Sequence, residues 1–393
     1  MNTLEDLKKA LKAHEAQAFQ LNYTIADDPE LSGEEYHACR HYVDLCRSLG
    51  MEVEEQFTGQ PTAFRAIAHR ADKPVFKMAL LAEYDALPGV GHGCGHSANG
   101  AMSFLAAAAL KDLKDLPVDV DLIGTPDEEL RGGKVIMCDQ GVFKDYDFAV
   151  MVHVSPTRTN ANSHFLALDD YRIAFHGQTA HAAGEPWNGR NALNGAMLAL
   201  HAVDMLRQHV RPETRIGSYI VNGGAASNVV PDYAEVECCI RHSEREYLDT
   251  VVAKVMNCFK GAAIATETTY DVTQMGCKFD NMVWNEAATK ASEQVLQAMG
   301  IPYEEPKDCG SSDVGNVSHQ CPAVHVHLAL GDVPMPEHST DIANAVKART
   351  IEPTIVKGAE IMARLALLFA QDTALRQQMK DEFTAASPDR GSL

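Results

Sequence analysis

A glycine-rich loop carries a cysteine and a histidine two residues apart. The segment GHGCGH, residues 91–96, follows an apolar strand pattern and precedes an alanine-rich helix pattern, and it contains Cys94 and His96. Glycines on both sides of Cys94 permit positive φ angles and a close approach to a ligand, and a thiolate and an imidazole at this spacing can bind one metal ion. Two other interpretations stay open: a plain strand-to-helix turn, or a thiol nucleophile that pairs Cys94 with a histidine.

Two adjacent carboxylates follow a second apolar strand pattern. The segment GTPDEE, residues 124–129, ends in Glu128 and Glu129. One of them can bind a metal ion while the other takes a proton from a water that the ion activates. An acidic helix N-terminus, favoured by the helix dipole, is the alternative. Their position after a strand, like that of Cys94 and His96, favours a shared crevice, because ligands bind at the carboxyl ends of strands in open α/β sheets.

Two further histidines are weaker candidates when taken alone. His153 stands near the end of the apolar segment DFAVMVHV, and His338 stands in the proline-rich segment PMPEHS after the strand pattern AVHVHLAL. A lone histidine in an apolar strand is more often a core residue than a ligand. His325 and His327 could be mistaken for His338, but strand residues at period two are expected to line the faces of the sheet.

The elements that must position these residues alternate between strand and helix patterns. Apolar segments from Val75, at Val118–Gly124 and at Asp147–Val154 predict parallel strands that are covered on both faces. The order then changes to βαββαβ, the split ferredoxin-like order, with these segments: Tyr171–Gly177, Arg190–Val210, Arg215–Asn222, Ala234–His242, Glu244–Ala262 and Thr268–Met275. The alternation of helices and strands then resumes, with a helix predicted at Asn285–Met299, a strand at Ala323–Leu330 and a long helix near Asp341–Ala370. We therefore predict a metal-binding α/β domain, residues 1–169 and 279–393, with an inserted domain, residues 170–278.

Composition excludes several classes of function. The 393 residues include 34 Lys and Arg against 54 Asp and Glu, a net charge of −20, which repels nucleic-acid phosphates and anionic membranes, so neither is expected as a partner. The most apolar run, residues 101–110, is too short to span a bilayer. The first 18 residues predict a charged amphipathic helix without the apolar core of a secretion signal, so we expect a cytoplasmic protein whose ten cysteines are free thiols. The polar tail after Gln371 is expected to be frayed surface.

Six motifs together resemble one enzyme family. In chain order they are GHGCGHSANG, GTPDEELRGGK, MVHVSP, FHGQTAHAAGEPWNGRNAL, NGGAASNVVPDYAEVECCIR and SSDVGNVS. This order is similar to that of the M20 metallopeptidases, and most of all to their amidohydrolase branch, which includes N-acyl-amino-acid hydrolases, aminobenzoyl-glutamate hydrolases and dipeptidase-like relatives. The resemblance spans roughly residues 15 to 370. It implies a zinc-peptidase-like α/β/α catalytic domain interrupted by a ferredoxin-like (βαββαβ) domain that acts as a lid and forms dimers.

The resemblance also implies roles for individual residues. The implied metal ligands are Cys94, His96, Glu129, His153 and His338. Glu128 matches the catalytic glutamate, and Asp85 matches an aspartate that supports the metal-site geometry. In the inserted domain, His181 matches a histidine that polarises the scissile carbonyl, and Asn228 and Arg241 match groups that bind the substrate. Glu83 stands where the wider family has a histidine ligand, and its role stays open, as do those of Asp313 and Asn316.

The resemblance implies a metal-dependent amidohydrolase. It would cleave the amide bond of N-acyl amino acids, aminobenzoyl-glutamate-like compounds or dipeptides through a metal-activated water, with two divalent ions per chain, zinc or manganese. We expect a small-molecule substrate and a homodimer formed through the lid domain. The alternatives are a relative that binds a metal or ligand without turnover, and a cysteine hydrolase that uses Cys94.

Overall fold

The structure is a computed structural model that describes residues 3–307 and 310–386. The chain divides into two compact units: Met1–His164 with Met282–Leu393, and Phe165–Asn281. Its strands are β1 (Glu52–Glu55), β2 (Phe64–His69), β3 (Phe76–Ala82), β4 (Val118–Gly124), β5 (Phe148–Ser155), β6 (Ala167–His176), β7 (Arg215–Asn222), β8 (Tyr233–His242), β9 (Thr269–Phe279) and β10 (Ala323–Ala329). Its α-helices are α1 (Leu4–Asp27), α2 (Tyr36–Ser48), α3 (His96–Asp112), α4 (Gly133–Asp139), α5 (Ala192–Leu206), α6 (Arg245–Ala265), α7 (Glu286–Ala298), α8 (Val314–Ser318), α9 (Thr340–Lys347), α10 (Glu352–Gln371) and α11 (Thr373–Ala386).

The first unit is built on a six-stranded sheet in the order β1-β2-β4-β3-β5-β10. β3 pairs in parallel with β4 and β5, and β10 pairs in parallel with β5, whereas β2 and β1 continue the sheet in antiparallel fashion. Helix α3 is buried from His96 to Leu110, because it packs on the parallel strands and is covered in turn by α1 and α10. Its run of alanines allows this close packing, and the predicted buried helix and α/β class are confirmed.

The second unit is a four-stranded antiparallel sheet in the order β7-β8-β6-β9. Its elements follow the chain as β6-α5-β7-β8-α6-β9, which is the βαββαβ order that the sequence predicts for this segment. Buried residues alternate along β6 and β8, as expected of a sheet with one face on a core. That core joins Ile173 and Phe175 of β6 to Val236 of β8 and to helix residues such as Phe259.

The strand β6 begins before its predicted start at Tyr171. The two aspartates at positions 169 and 170 resemble a loop in the sequence, but Ala167 already pairs with His242. Asp169 is buried in the strand because Arg245 Nη1 donates to its Oδ1 at 2.6 Å. An ion pair therefore extends the strand into a segment whose composition favours a turn.

Two predictions about the C-terminal part are wrong. The predicted long helix is broken, because α9 ends at Lys347, Ala348 is extended (φ −80°, ψ 146°), and α10 begins at Glu352. Pro353, in the first turn of α10, has no N–H to continue a helix from the preceding turn. The segment after Gln371 is also not frayed as far as Ala386, since it forms α11. Met379 of this helix is 1% exposed, and the backbone carbonyl of Met379 accepts from Asn285 Nδ2 at 2.8 Å. The terminal SPDRGSL lies outside the described residues.

No two cysteines among the described residues form a disulfide. No helix in the described part of the chain combines the length and the apolar character that crossing a bilayer requires.

Candidate metal centre and active site

The five predicted metal ligands lie at the carboxyl ends of the parallel strands in the first unit. Cys94 stands between β3 and α3, His96 begins α3, Glu129 follows β4, His153 lies in the last part of β5, and His338 follows β10. The parallel register of these four strands brings their ends to one edge of the sheet.

The ligand atoms form two groups of three that share one thiol. The sulfur of Cys94 lies with ring nitrogens of His96 and His153 in one group, and with Glu129 and His338 in the other; within each group all atoms lie within 4.8 Å of one another. The Sγ of Cys94 is 3.6 Å from Nε2 of His153, and Nε2 of His338 is 3.8 Å from Oε1 of Glu129. This arrangement suits two cations bridged by the thiolate.

The histidine lone pairs fit a metal site. His96 Nδ1 donates to Asp85 Oδ1 at 2.8 Å, and His153 Nδ1 donates to the carbonyl of Val154 at 2.6 Å. In the neutral form of each ring Nε2 is then the bare nitrogen, which is the form that binds a metal. Nε2 of His96 and Oε1 of Glu129 are buried without a hydrogen-bond partner among the described residues. Such atoms are costly unless a cation satisfies them, and the sulfur, nitrogen and oxygen donors suit zinc or manganese.

Electrostatics argue against a cysteine nucleophile. Burial, followed by the charge of Glu129, raises the pKa of the Cys94 thiol well above its usual value, although His96 opposes this. Burial and the charge of His96 lower the pKa of His153 to about 4. A nucleophilic cysteine needs a lowered pKa and a partner that takes its proton. The pair of Cys94 and His153 offers neither, whereas a neutral His153 suits metal ligation.

Asp85 connects two of the ligand loops. Its Oδ1 accepts from His96, and its Oδ2 accepts from the backbone N–H of Glu129 at 2.9 Å and from Ser32 Oγ at 2.8 Å. Burial alone would raise the pKa of Asp85, but the charge of His96 and these hydrogen bonds hold it well below its usual range. A carboxylate of this kind fixes the tautomer and orientation of a ligating histidine.

A strained turn immediately precedes the two adjacent glutamates. Asp127 has φ of 65°, and its N–H donates to the buried Glu35 Oε1 at 2.8 Å. Glu129 lies in the possible metal group with Cys94 and His338. Glu128 lies in another possible metal group, with Glu83 and Asp313. Burial, then the charge of Glu129, raises the pKa of Glu128 well above its usual value. The turn thus gives one carboxylate to the ligands and leaves its neighbour suited to holding a proton.

The glycines beside Cys94 are required by close approaches. A Cβ on Gly93 would lie 2.9 Å from the carbonyl oxygen of Ser339, in the loop of His338. Gly95 has φ of 88°, and a Cβ there would lie 2.1 Å from Val154 Cγ2. Because glycines lack a side chain, the segments that carry Cys94, His153 and His338 can pack closely together.

Sequence reasoning missed Lys134, which is fully buried at the start of α4. Its Nζ donates to Glu83 Oε1 at 2.5 Å and to Asp313 Oδ1 at 2.7 Å. The signal was a lysine directly after a crevice loop, followed by the apolar segment VIM. Asn316, whose role the sequence left open, is buried in the short helix α8 that Asp313 precedes.

The predicted substrate residues belong to the second unit. The backbone N–H of Ala182 donates to the carbonyl of Asn228 at 3.0 Å, so the loops of His181 and Asn228 lie together. His181 Nδ1 accepts from the N–H of Gly184 at 3.0 Å, which leaves the ring proton on Nε2. Arg241 lies on β8, where its Nε donates to Cys239 Sγ at 3.4 Å.

Comparison with known proteins decides the family. Residues 79–368 match the peptidase family M20/M25/M40. The chain belongs to this family. A Xaa-Arg dipeptidase of Mus musculus is 31% identical over 385 residues, covering 92% of this chain and 88% of the dipeptidase. One of the subunits of p-aminobenzoyl-glutamate hydrolase from Escherichia coli is 32% identical over 318 residues, covering 75% of this chain and 64% of the relative.

A solved structure shows the same fold. A dinuclear metal-binding peptidase of the M20 family from Bacillus subtilis superposes with a TM-score of 0.71 at 17% identity, covering 92% of this chain and 99% of that one. The resemblance inferred from the motifs is thus confirmed, and with it the assignment as a hydrolase of peptide or amide bonds. In the described part of this chain four groups of side chains could hold a metal ion, and two of them share Cys94.

Proposed function

We propose that the protein is a two-metal amidohydrolase that cleaves dipeptides and N-acyl amino acids, including aminobenzoyl-glutamate-like compounds. The observation that carries this proposal is the pair of ligand groups that share Cys94, with Glu128 beside them. Its relatives support the substrate range, since one is a Xaa-Arg dipeptidase and another is part of a p-aminobenzoyl-glutamate hydrolase.

Each residue then has a defined task. The proposed ligands are Cys94, His96, Glu129, His153 and His338. Two divalent ions bound there would lower the pKa of a shared water toward neutrality and polarise the scissile carbonyl. Glu128 takes the proton of the attacking water and returns it to the leaving amine, which its raised pKa favours. Asp85 keeps His96 in the ligating tautomer.

The second unit supplies the remaining proposed roles. His181 donates its Nε2 proton to the carbonyl oxygen as negative charge develops there, and its tautomer supports this role because Nδ1 accepts from the backbone. Asn228 and Arg241 bind the amide and the carboxylate of the substrate.

The test is a substrate panel with metal-loaded protein. Dipeptides with C-terminal arginine or lysine, N-acetyl amino acids and p-aminobenzoyl-glutamate are incubated with zinc-loaded or manganese-loaded enzyme, and products are detected by mass spectrometry. Glu128→Gln should lower kcat by a factor of about 10² to 10⁴ with its metal content intact. Glu52→Gln, an exposed change on β1, is the control and should match the wild type.

The outcomes separate the candidate functions. No hydrolysis of any compound, or full activity in Glu128→Gln, would overturn the proposal. Tight binding without product would favour a binding relative, and activity that survives chelation but not alkylation would favour a cysteine hydrolase at Cys94.

We also propose a homodimer formed through the second unit. β7 is an edge strand in the sheet of the described residues, and its Tyr219, Ile220 and Val221 are 54%, 39% and 38% exposed. An exposed apolar edge strand is a ready partner for a second copy. Ile220→Asp should yield monomers in analytical ultracentrifugation, while Lys260→Glu, exposed on α6, should not; a monomeric wild type contradicts the proposal. The cytoplasmic location stays a prediction.

A further inference from the structure

We propose that Glu83 is a sixth protein ligand, which binds through Oε2 the ion held by His96, while Lys134 fixes its other oxygen. This inference rests on the proposed function, because it concerns the same metal centre. It assigns a role to the residue that the sequence left open.

Two buried atoms without partners face each other at this point. Glu83 Oε2 lies 3.5 Å from His96 Nε2, and neither atom has a hydrogen-bond partner within the described ranges. His96 donates from Nδ1 to Asp85, so in the neutral ring that binds a metal its Nε2 presents a lone pair to a carboxylate oxygen. In that form a cation next to both atoms stabilises two electron-rich groups in a buried site.

The distance suits two ligands of one ion. Zinc binds imidazole nitrogen and carboxylate oxygen at about 2.0 to 2.2 Å, so two ligand atoms along one edge of a tetrahedron lie about 3.4 Å apart. The separation of 3.5 Å between Glu83 Oε2 and His96 Nε2 matches this edge. A direct hydrogen bond from nitrogen to oxygen would normally be shorter, at about 2.7 to 3.2 Å.

Lys134 explains why only one oxygen of Glu83 faces the site. Its ammonium donates to Oε1 of Glu83 at 2.5 Å and to Oδ1 of Asp313 at 2.7 Å, and its backbone N–H donates to Oδ2 of Asp313 at 2.9 Å. Both oxygens of Asp313 are thus used by the lysine, whereas Glu83 keeps one for another partner. The lysine acts as a positioning residue.

The charges of this cluster also leave room for a cation. Glu83 and Asp313 carry two negative charges and Lys134 one positive charge, and all three side chains are at most 1% exposed. The excess negative charge is buried and must be compensated. Glu83 and Asp313 form a possible metal group with Glu128. The Lys134 ammonium, however, already lies between the carboxylates of Glu83 and Asp313. The compensating ion therefore belongs on the other side of Glu83, at His96.

The experiment measures zinc affinity rather than activity. Full-length, metal-depleted protein is titrated with zinc against a chromophoric chelator, which gives two dissociation constants for the wild type. In Glu83→Gln the amide oxygen stays with Lys134 and the NH₂ group faces His96, where it cannot bind a metal. We expect one constant to weaken at least about tenfold while the other stays within threefold.

Asp313→Asn is the matched control, since it disturbs the same lysine but keeps Glu83 Oε2. It should change both constants by less than about threefold. Equal effects of Glu83→Gln and Asp313→Asn, or two unchanged constants in Glu83→Gln, would overturn the inference. If Glu83→Gln does not fold, a crystal structure of the zinc-loaded wild type decides. A distance of about 2.0 to 2.2 Å between Glu83 Oε2 and zinc supports the role of Glu83 as a ligand, and a distance beyond about 3 Å overturns it.

Failure of this inference differs from failure of the proposed function. A wild type that binds no zinc and hydrolyses nothing removes both. A wild type that binds two zinc ions and hydrolyses amides, with Glu83→Gln binding equally well, removes only the role of Glu83.

Discussion

Asp85→Asn tests how the metal site is held, because it removes one charge and one acceptor while keeping the size of the side chain. Asp85 accepts from donors on both sides: His96 Nδ1 on Oδ1, and the N–H of Glu129 with the hydroxyl of Ser32 on Oδ2. An asparagine has one acceptor oxygen, so it can serve only one side. If its oxygen faces Glu129, its NH₂ group faces His96 and reverses the tautomer, which places a proton on the nitrogen that should bind metal.

The magnitude follows from these contacts. Removal of a carboxylate that orients a ligating histidine costs 10-fold to 100-fold in metal affinity, which corresponds to about 1.4 to 2.8 kcal/mol. If the asparagine oxygen instead faces His96, the N–H of Glu129 loses its buried acceptor, at a cost of about 1 to 3 kcal/mol in folding. We therefore expect Asp85→Asn to weaken at least one zinc constant about 10-fold to 100-fold.

The assay is zinc titration of metal-depleted protein against a competing chelator, with urea unfolding of the metal-free protein in parallel. Ser32→Ala is the control, because it removes one donor to Oδ2 and leaves the bond from His96 intact. It should bind zinc within about twofold of the wild type. Wild-type zinc affinity in Asp85→Asn would show that Asp85 does not orient His96 for a metal.

Three further predictions concern stability. Gly93→Ala places a Cβ 2.5 Å from Val90 and 2.9 Å from the carbonyl of Ser339, so it should lower the free energy of unfolding by about 1 to 3 kcal/mol; an unchanged Tm in calorimetry contradicts the close approach. Burial, then the charge of Asp85, raises the pKa of Glu35 to about 7 from its ordinary 4.5, so the folded state keeps a proton that the unfolded chain releases. The free energy of unfolding of metal-free protein should therefore fall as pH rises from about 4.5 to 7. Glu35→Gln should flatten this fall, and wild-type and Glu35→Gln proteins with the same pH dependence of unfolding free energy would contradict the raised pKa of Glu35. Removal of bound zinc by a chelator should lower stability by about 2.7 kcal/mol relative to protein at a free zinc concentration of 100 times Kd, and thermal melts that do not depend on zinc concentration contradict a specific site.

The sequence could predict where four of the candidate ligands lie, because each stands at or after the carboxyl end of an apolar strand. Cys94, His96, Glu129 and His153 stand at or just after apolar runs, and such runs form the central parallel strands β3, β4 and β5. The second unit could be predicted in order because its amphipathic helices and alternating strands repeat clear periods. The edge strand β1 was missed, since EVEE is polar and largely exposed and lacks the apolar signal of a strand.

Other features depend on contacts between distant residues. Glu83, Lys134 and Asp313 meet only in the folded protein, and a fully buried lysine goes against the usual preference of that residue for the surface. The strained Asp127 depends on Glu35, which lies far away in the sequence. Such features set the geometry of the site, but no local pattern predicts them.

The proposed metal centre requires that Cys94 bridge two metal ions. Anomalous diffraction from zinc-loaded crystals measures this directly. We expect two peaks in the first unit, each about 2.3 Å from Cys94 Sγ, one next to His96 and His153 and the other next to Glu129 and His338. A single peak, or peaks away from Cys94, would contradict it.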